Sequence, residues 1–200
     1  LTGTADPGEL QVTACSGSCY SKLPNANEQG YWTEDFTGTT DITVDTYGWI
    51  YQFDDQGNYT VIYWYVPNPY FYVYPLTNII YGNEWSSNSS ITVNIGGQSW
   101  TTQSDSGGWF HLSMTSFDIL PGQSITVTDG HSTRTHIVKN LSVTNVDVDG
   151  NILTGTADPG ELRVRACSSA GCYSKYPVAN GEGIWTEDFT DLTDITIDTY

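Results

Sequence analysis

Basic side chains are scarce in this sequence. Six Lys and Arg residues stand against 23 Asp and Glu residues, which gives a formal net charge of −17. Proteins that bind nucleic acid or anionic membranes need clustered basic side chains, so we expect neither partner. The acidic excess has two interpretations. It keeps an exposed surface soluble through repulsion between like charges, or it supplies oxygen ligands for divalent cations.

Long apolar runs and helical periodicity are also missing. No stretch of about 18 apolar residues occurs, so we expect no membrane insertion. The opening residues, LTGTADPGEL, contain neither the basic nor the apolar region of a signal peptide, and there is no initiator Met. We therefore expect an excerpt from a longer precursor. No window of ten or more residues repeats apolar positions with helical spacing, which predicts essentially no helix.

The familiar catalytic motifs are absent as well. The sequence holds no G-x-S-x-G elbow, no H-E-x-x-H, no phosphate-binding loop and no dinucleotide fingerprint. The adjacent acids Glu34 and Asp35 in WTEDF resemble a glycosidase pair. Neighbouring strand residues point to opposite faces, however, so these two cannot share a cleft. The same alternation predicts that Trp32 and Phe36 anchor a core. We expect a protein that is not an enzyme and requires no cofactor.

The residues that are abundant favour β-structure. Tyr (14), Trp (7) and many Val, Ile and Thr residues suit pleated strands, and 20 Gly residues suit turns. Short strand-like segments alternate with turn signals such as Asp129-Gly130 and Pro121-Gly122, as in β-sandwiches. The predicted strands are 10–15, 31–36, 41–46, 49–54, 59–66, 71–74, 76–81, 90–95, 98–103, 109–114, 124–128 and 133–138.

The strongest pattern is an internal repeat. Of residues 1–47, 35 are identical to their counterparts in 153–200, at an offset of 152 that becomes 153 after one insertion. The repeating unit is therefore about 152 residues long. We expect the chain to be a window on a longer array, or a subunit whose end sandwich a neighbouring chain completes by strand addition.

This repeat predicts tandem modules arranged end to end. Residues 1–66 form a Cys-containing module without its first strand, and residues 67–75 form a linker rich in Pro and aromatic residues. A second module covers 76–140. Residues 141–200 begin the next Cys-containing module, which is incomplete.

The four cysteines form two close pairs, Cys15 with Cys19 and Cys167 with Cys172. The single insertion between the copies falls inside the pair, which a metal site with fixed ligand spacing would not tolerate. Cysteines that flank a hairpin loop face each other across the strands at a distance that a disulfide spans. We therefore predict two disulfides and an extracellular location.

Three further kinds of candidate site remain. Asp147, Asp149 and Asn151 copy the opening of an oxygen-ligand calcium loop, and Asp54, Asp55 and Asn58 form a weaker second candidate; either is also a good β-turn. Candidate glycosylation sequons begin at Asn58, Asn88 and Asn140. The aromatic stretch 59–75 offers candidate sugar-binding or interface residues, namely Tyr63, Trp64, Tyr65, Tyr70 and Tyr72.

The motifs TGTADPGELRVRAC, WTEDF and DDQGNYT, with the strand pair ITVTDGHSTRTHIV, resemble those of secreted bacterial immunoglobulin-like tandem repeats. The resemblance covers nearly the whole chain. It implies an all-β fold of tandem immunoglobulin-like β-sandwich modules, and a structural role in a microbial surface filament, stalk or adhesin. Partners would be neighbouring repeats or second copies, head to tail, and glycans. The alternative is a carbohydrate-binding module array of a secreted enzyme.

Overall fold

The chain folds into antiparallel β-sheets around three separate buried clusters. The computed structural model describes residues 1–168, 171–193 and 195. One cluster lies within residues 1–66, one within 71–138 and one within 153–195. The described residues form strands and turns, with a single short helix of the 3-10 type at Pro75–Thr77. In that part of the chain no helix has the length and apolar character that crossing a membrane requires.

The first region contains two antiparallel sheets. A long sheet has the order β3-β2-β6-β7, with β4 paired to one end of β2, and a short sheet pairs β1 with β5. Side chains of both sheets meet in one cluster, in which Leu10, Val12 and Ala14 of β2 lie with Trp32 of β5. The strands are β1 (Thr2–Thr4), β2 (Gly8–Ser16), β3 (Ser18–Lys22), β4 (Asn25–Ala26), β5 (Tyr31–Thr33), β6 (Tyr47–Phe53) and β7 (Tyr59–Tyr65).

The middle region also has two sheets, ordered β11-β10-β13-β14 and β12-β9-β8. Along the strands of each sheet, apolar side chains alternate with polar ones, so each sheet has one apolar face. The apolar faces of the two sheets contribute side chains to one buried cluster. Trp85 and Phe110 are the largest side chains inside it. The strands are β8 (Tyr70–Tyr74), β9 (Ile79–Asn83), β10 (Ser90–Ile95), β11 (Gln98–Gln103), β12 (Phe110–Ser113), β13 (Ser124–Thr128) and β14 (Thr133–Ile137).

The third region repeats the beginning of the first and adds one strand. Its sheet β15-β16-β21 contains the counterparts of β1 and β5, and two small pairs, β17-β20 and β18-β19, correspond to the hairpin of β2, β3 and β4. Strand β15 carries a bulge between Val143 and Asn145. The strands are β15 (Leu141–Asp147), β16 (Ile152–Ala157), β17 (Gly160–Glu161), β18 (Val164–Ser168), β19 (Gly171–Lys175), β20 (Val178–Ala179) and β21 (Ile184–Asp188).

Most predicted strands overlap strands of the structure, but there are differences. The predicted strand 31–36 ends at Thr33, the predicted strand 76–81 begins only at Ile79 because Pro75–Thr77 form the 3-10 helix, and the short strands β1 and β4 were not predicted. Residues 41–46 form no strand, because the chain turns at Asp45, whose φ is 65°. Strand β3 was not predicted; it forms because its hairpin with β2 places Cys19 opposite Cys15. The residues 67–75 predicted as a linker include β8, which pairs with β9. The predicted module boundaries themselves stay a prediction.

Asp129 connects two turns of the middle region. Its Oδ1 accepts hydrogen bonds from the backbone N–H groups of His131 (2.9 Å) and Ser132 (2.6 Å), and its Oδ2 accepts one from Ser86 N–H (3.0 Å). Partial burial alone would raise the pKa of this carboxyl. Hydrogen bonds from the Ser132 backbone, from the side chain and backbone of Ser86, and from the His131 backbone outweigh burial and lower the pKa to about 2, from an ordinary 3.8. The ionised carboxylate therefore holds the β13–β14 turn against the β9–β10 loop.

Replacing Asp129 should weaken the middle region and change its response to acid. We expect Asp129→Ala to lower the free energy of unfolding by about 1–2 kcal/mol, because three backbone donors lose their acceptor. Since folding depresses the pKa of Asp129, its contribution is present above pH 4 and is lost as the pH falls toward 2. Urea unfolding at pH 7 and between pH 4 and 2 measures both effects.

The matched control is Asp55→Ala, which changes an exposed carboxylate in a turn of the first region. It should leave the unfolding free energy unchanged within about 0.5 kcal/mol. The interpretation of Asp129 fails if the two variants unfold alike at pH 7, or if Asp129→Ala retains the full acid dependence of the parent chain.

Candidate binding surface

An uncharged aromatic surface covers the outward face of the sheet β12-β9-β8. Along these strands, alternate residues such as Phe71, Ile80 and Phe110 point into the core, so the residues between them point outward. The outward strand positions include no Asp, Glu, Lys or Arg, although the chain as a whole carries a net charge of −17. We call this surface the aromatic face and define it by six residues: Tyr70, Tyr72, Tyr74, Tyr81, Trp109 and His111.

The rings of the aromatic face form a row across the three strands. Tyr72 lies opposite Tyr81, and Tyr81 lies opposite His111, in the strand register. Ring centroids are 5.8 Å apart for the first pair and 5.0 Å for the second, with planes inclined by 34° and 31°. Trp109 stacks within 8° of the plane of His111, at 6.2 Å. Tyr74 meets Tyr81 edge to face at 5.5 Å. Such ring pairs stabilise one another beyond simple burial.

Contacts beneath and beside β8 hold the row in place. The Nε1–H of Trp85 donates a 3.0 Å hydrogen bond to the carbonyl of Tyr70. The guanidinium of Arg134 donates to the carbonyl of Pro69 (2.8 Å) and to Oδ1 of Asn68 (2.8 Å). In β9, the rings of Phe110 and Trp85 lie so close to Gly82 that a Cβ there would be 2.1 Å from Phe110 Cε1. The face therefore rests on a tightly packed interior.

The structure divides the predicted aromatic residues between two surfaces. Tyr70 and Tyr72 belong to the aromatic face. Tyr63 and Tyr65 lie on β7 in the first region, where 77% and 58% of their surface is exposed, and Trp64 of the same strand packs against the core.

Sequence reasoning missed four members of the aromatic face. Tyr74 continues the alternation of β8 and could have been found from that pattern. Tyr81 lies on β9, His111 lies on β12 and Trp109 directly precedes β12, and only the pairing of these strands brings them to Tyr72. No pattern within a single segment of the sequence predicts that these residues lie beside Tyr72.

The acidic turns use their carboxylates within the protein. Asp54 Oδ1 accepts from the N–H groups of Gln56 (2.9 Å) and Asn58 (2.8 Å), and its Oδ2 accepts from Asn58 Nδ2 (2.8 Å). The Asn58 side chain is the main cause that lowers the pKa of Asp54. Asp147 Oδ1 likewise accepts from Gly150 N–H at 2.9 Å.

The other calcium candidates gain no support from the structure. Asn151 Oδ1 accepts from Ile195 N–H at 2.7 Å, and Asp149 and Asp55 are exposed turn residues. Within the described residues, no three His, Cys, Asp or Glu side chains are grouped so that they could hold a metal ion. Calcium binding stays a prediction.

Both predicted disulfides are present. Cys15 is bonded to Cys19 and Cys167 to Cys172, and in each pair the Cα atoms are 4.0 Å apart. The register places each pair directly opposite across its hairpin, so the extra residue in the second copy lengthens the loop without separating the cysteines.

The candidate glycosylation residues all lie on the surface. Asn58, Asn88 and Asn140 are exposed, although Asn58 already donates its side-chain N–H to Asp54. Glycosylation at these positions stays a prediction.

No protein-family profile matches this sequence, and no curated protein matches it. Similar solved structures include a tetra-tandem repeat in the extending region of a large adhesion protein, with 17% identity and a TM-score of 0.24 over 96% of this chain and 62% of that chain. A Ca²⁺-stabilised adhesin that helps an Antarctic bacterium reach out and bind ice has 14% identity and a TM-score of 0.25, over 92% and 59%. A 1.5-MDa bacterial ice-binding adhesin has 15% identity and a TM-score of 0.25, over 92% and 77%.

The chain thus spans less than two thirds of the length of the first two of these structures. All three are adhesins or parts of an adhesion protein. At these TM-scores the likeness carries no argument, so the proposals below rest on the geometry of this chain.

Removing a disulfide should loosen its hairpin without unfolding the chain. In the chain-entropy view, closing a loop of four or five residues contributes about 2 kcal/mol. We expect Cys15→Ser combined with Cys19→Ser to lower the unfolding free energy of the first region by about that amount. Denaturant unfolding measures the loss.

Reduction of the parent chain supplies the control. It should add a mass of two hydrogens per disulfide, four in all, and the double variant should gain only two. A parent chain purified under oxidising conditions that gains no mass on reduction would contradict the assignment.

Proposed function

We propose that this chain is a non-catalytic repeat segment of an extracellular surface protein of the stalk, filament or adhesin type. The observation that carries the proposal is the duplicated hairpin closed by a disulfide, Cys15–Cys19 in one copy and Cys167–Cys172 in the other. Disulfides persist in oxidising compartments and are rare in the cytosol. A chain that repeats a structural unit with its disulfide suits a protein that extends by adding units.

Beyond the disulfide, the two copies share a second set of contacts. Lys22 Nζ lies 3.3 Å from Glu34 Oε1 and 5.3 Å from the ring centroid of Phe36. In the second copy, Lys175 Nζ lies 3.3 Å from Glu187 Oε1 and 5.7 Å from the ring of Phe189. In each copy the same lysine also donates to the backbone carbonyl of the following Asp.

These duplicated contacts join the disulfide hairpin to the end of β5 in the first region and to the end of β21 in the third. Each copy therefore carries its own stabilising contacts, which favours a role as a repeated structural unit. The same reasoning favours neighbouring repeats, or second copies placed head to tail, as its partners.

The surface location has a direct test. Antibodies raised against the folded chain should label intact cells of the source organism in immuno-electron microscopy, and labelling should disappear after mild surface proteolysis. Antibodies against a cytosolic protein provide the control. Labelling that requires permeabilised cells would contradict the proposal.

The aromatic face favours a second candidate function, which is the binding of a neutral glycan. Its rings and phenolic hydroxyls offer apolar surface and hydrogen bonds side by side, the combination that sugar rings require. Its outward strand positions carry no charge, which favours an uncharged ligand. The alternative of a carbohydrate-binding module attached to a secreted enzyme would use this surface.

Glycan binding can be tested by affinity electrophoresis through gels that contain soluble neutral polysaccharides. We expect the parent chain to be retarded, and Tyr81→Ala combined with Trp109→Ala to restore free mobility. Tyr63→Ala, on an exposed ring of β7 outside the aromatic face, is the matched control and should leave retardation unchanged. Equal retardation of all three proteins would dismiss this candidate.

A further inference from the structure

The long sheet of the first region carries a second uncharged surface, on the side that faces away from its core. Ile50 of β6 and Trp64 of β7 pack against the core, so the residues that alternate with them point outward. Along these two strands every outward residue except Val61 is aromatic, and none is charged. We call this surface the outer face and define it by its five most exposed rings: Tyr47, Phe53, Tyr59, Tyr63 and Tyr65.

The strand register spreads these rings over the whole length of the two strands. Phe53 lies opposite Tyr59 next to the β6–β7 turn, and Tyr47 lies opposite Tyr65 at the other end. The ring centroids of Phe53 and Tyr59 are 5.7 Å apart. Tyr63 lies between the two ends and is the most exposed of the five rings, at 77%. The outer face is therefore one continuous surface of rings.

The outer face is large for a surface that stays in water. Each of its five rings is between 51% and 77% exposed. A fully exposed aromatic side chain presents about 200 Å², so the five rings together expose about 600 Å². A single protein rarely leaves a larger apolar patch uncovered. Two outer faces in contact would bury about 1,200 Å², which reaches the lower limit of specific protein–protein interfaces.

The charge of the chain favours a second copy as the partner of this surface. Two copies that each carry a net charge of −17 repel one another wherever their acidic surfaces meet. The carboxylates around the outer face lie at its two ends. Asp6, Asp54 and Asp55 lie at the end with the β6–β7 turn, and Asp45 lies two residues before β6.

Between those ends, two facing copies bring no charged side chain of β6 or β7 together. A basic partner would instead find its complement on the acidic parts of the chain. A second copy also presents a surface of the same composition and size, so one contact covers both outer faces.

We propose that the outer face pairs two copies of this chain, sheet against sheet, about a twofold axis. In such a contact each copy contributes the same residues, and the contact closes with two copies. Side chains of two facing sheets interdigitate, as they do inside a β-sandwich. The proposal goes beyond the repeat role, because it assigns the surface on which copies pair, and it does not require a location on the cell surface.

Sedimentation equilibrium of the purified chain tests the pairing. For an interface of this size we expect a monomer that becomes a dimer over roughly 1 to 500 µM. Raising the NaCl concentration from about 0.05 M to about 0.5 M should tighten the dimer several-fold, since salt screens the repulsion between acidic copies. A chain that stays monomeric, that grows beyond a dimer, or whose dimer dissociates in salt would overturn the proposal.

Two variants locate the contact. Tyr63→Asp should weaken dimerisation at least about thirtyfold, because each dimer carries the added charge twice in the middle of the contact. Tyr31→Asp is the matched control, since Tyr31 is also an exposed ring of the first region but lies on β5 in the other sheet. It should dimerise as the parent does. Equal dimerisation of the two variants would place the contact elsewhere and overturn the proposal.

Hydroxyl-radical labelling of the parent chain, read by mass spectrometry, gives a second test without any variant. Labelling of Tyr63 and Tyr65 should fall as the protein concentration rises through the dimer dissociation constant, whereas labelling of Tyr31 should stay constant. A dimer that leaves Tyr63 and Tyr65 as reactive as they are in the monomer would contradict pairing through the outer face.

Glycan binding by the outer face is a separate outcome. If the parent chain stays monomeric and Tyr63→Asp, unlike Tyr31→Asp, loses its retardation in polysaccharide gels, the surface binds a glycan and pairing of copies is overturned. The sedimentation experiment uses the purified chain alone, so its failure leaves surface labelling of cells unaffected. The two proposals therefore fail independently.

Discussion

Close packing of tryptophan on a strand glycine underlies all three cores. Trp32 lies on Gly3, Trp185 lies on Gly155, and Trp85 with Phe110 lies on Gly82; at each glycine an added Cβ would come within 2.7 Å of an aromatic ring atom. A large indole buried against a bare backbone lets a small region exclude water with few residues. Each of these tryptophans is a buried member of one of the three clusters.

Because the interiors are filled in this way, the outward sides are free to differ. In the middle region the outward side of β8, β9 and β12 carries the aromatic face and no charged strand residue. At three turns, Asp54, Asp129 and Asp147 accept hydrogen bonds from backbone N–H groups of the turn residues. Part of the negative charge is therefore structural, since these carboxylates hold turns together. This division leaves an uncharged surface on an acidic protein, which is the basis of the glycan candidate.

The duplication allows two copies of the same structural unit to be compared within one chain. A hairpin with its disulfide, and a lysine over a phenylalanine ring, recur after 152 or 153 residues with nearly the same distances. The surface-protein proposal comes from what the copies share.

The sequence by itself determined the β-class, the repeat, both cysteine pairs and most strand positions. Local pattern was sufficient for these features, because alternation, turn residues and short-range pairing are all encoded within a few residues. The prediction failed at residues 41–46, where Ile42 and Val44 alternate as in a strand but the backbone turns at Asp45. Only the tertiary structure decided that Tyr81, Trp109 and His111 join Tyr72 on one surface. Those relations depend on which distant strands pair, and pairing over long separations follows from the whole core and not from any single segment.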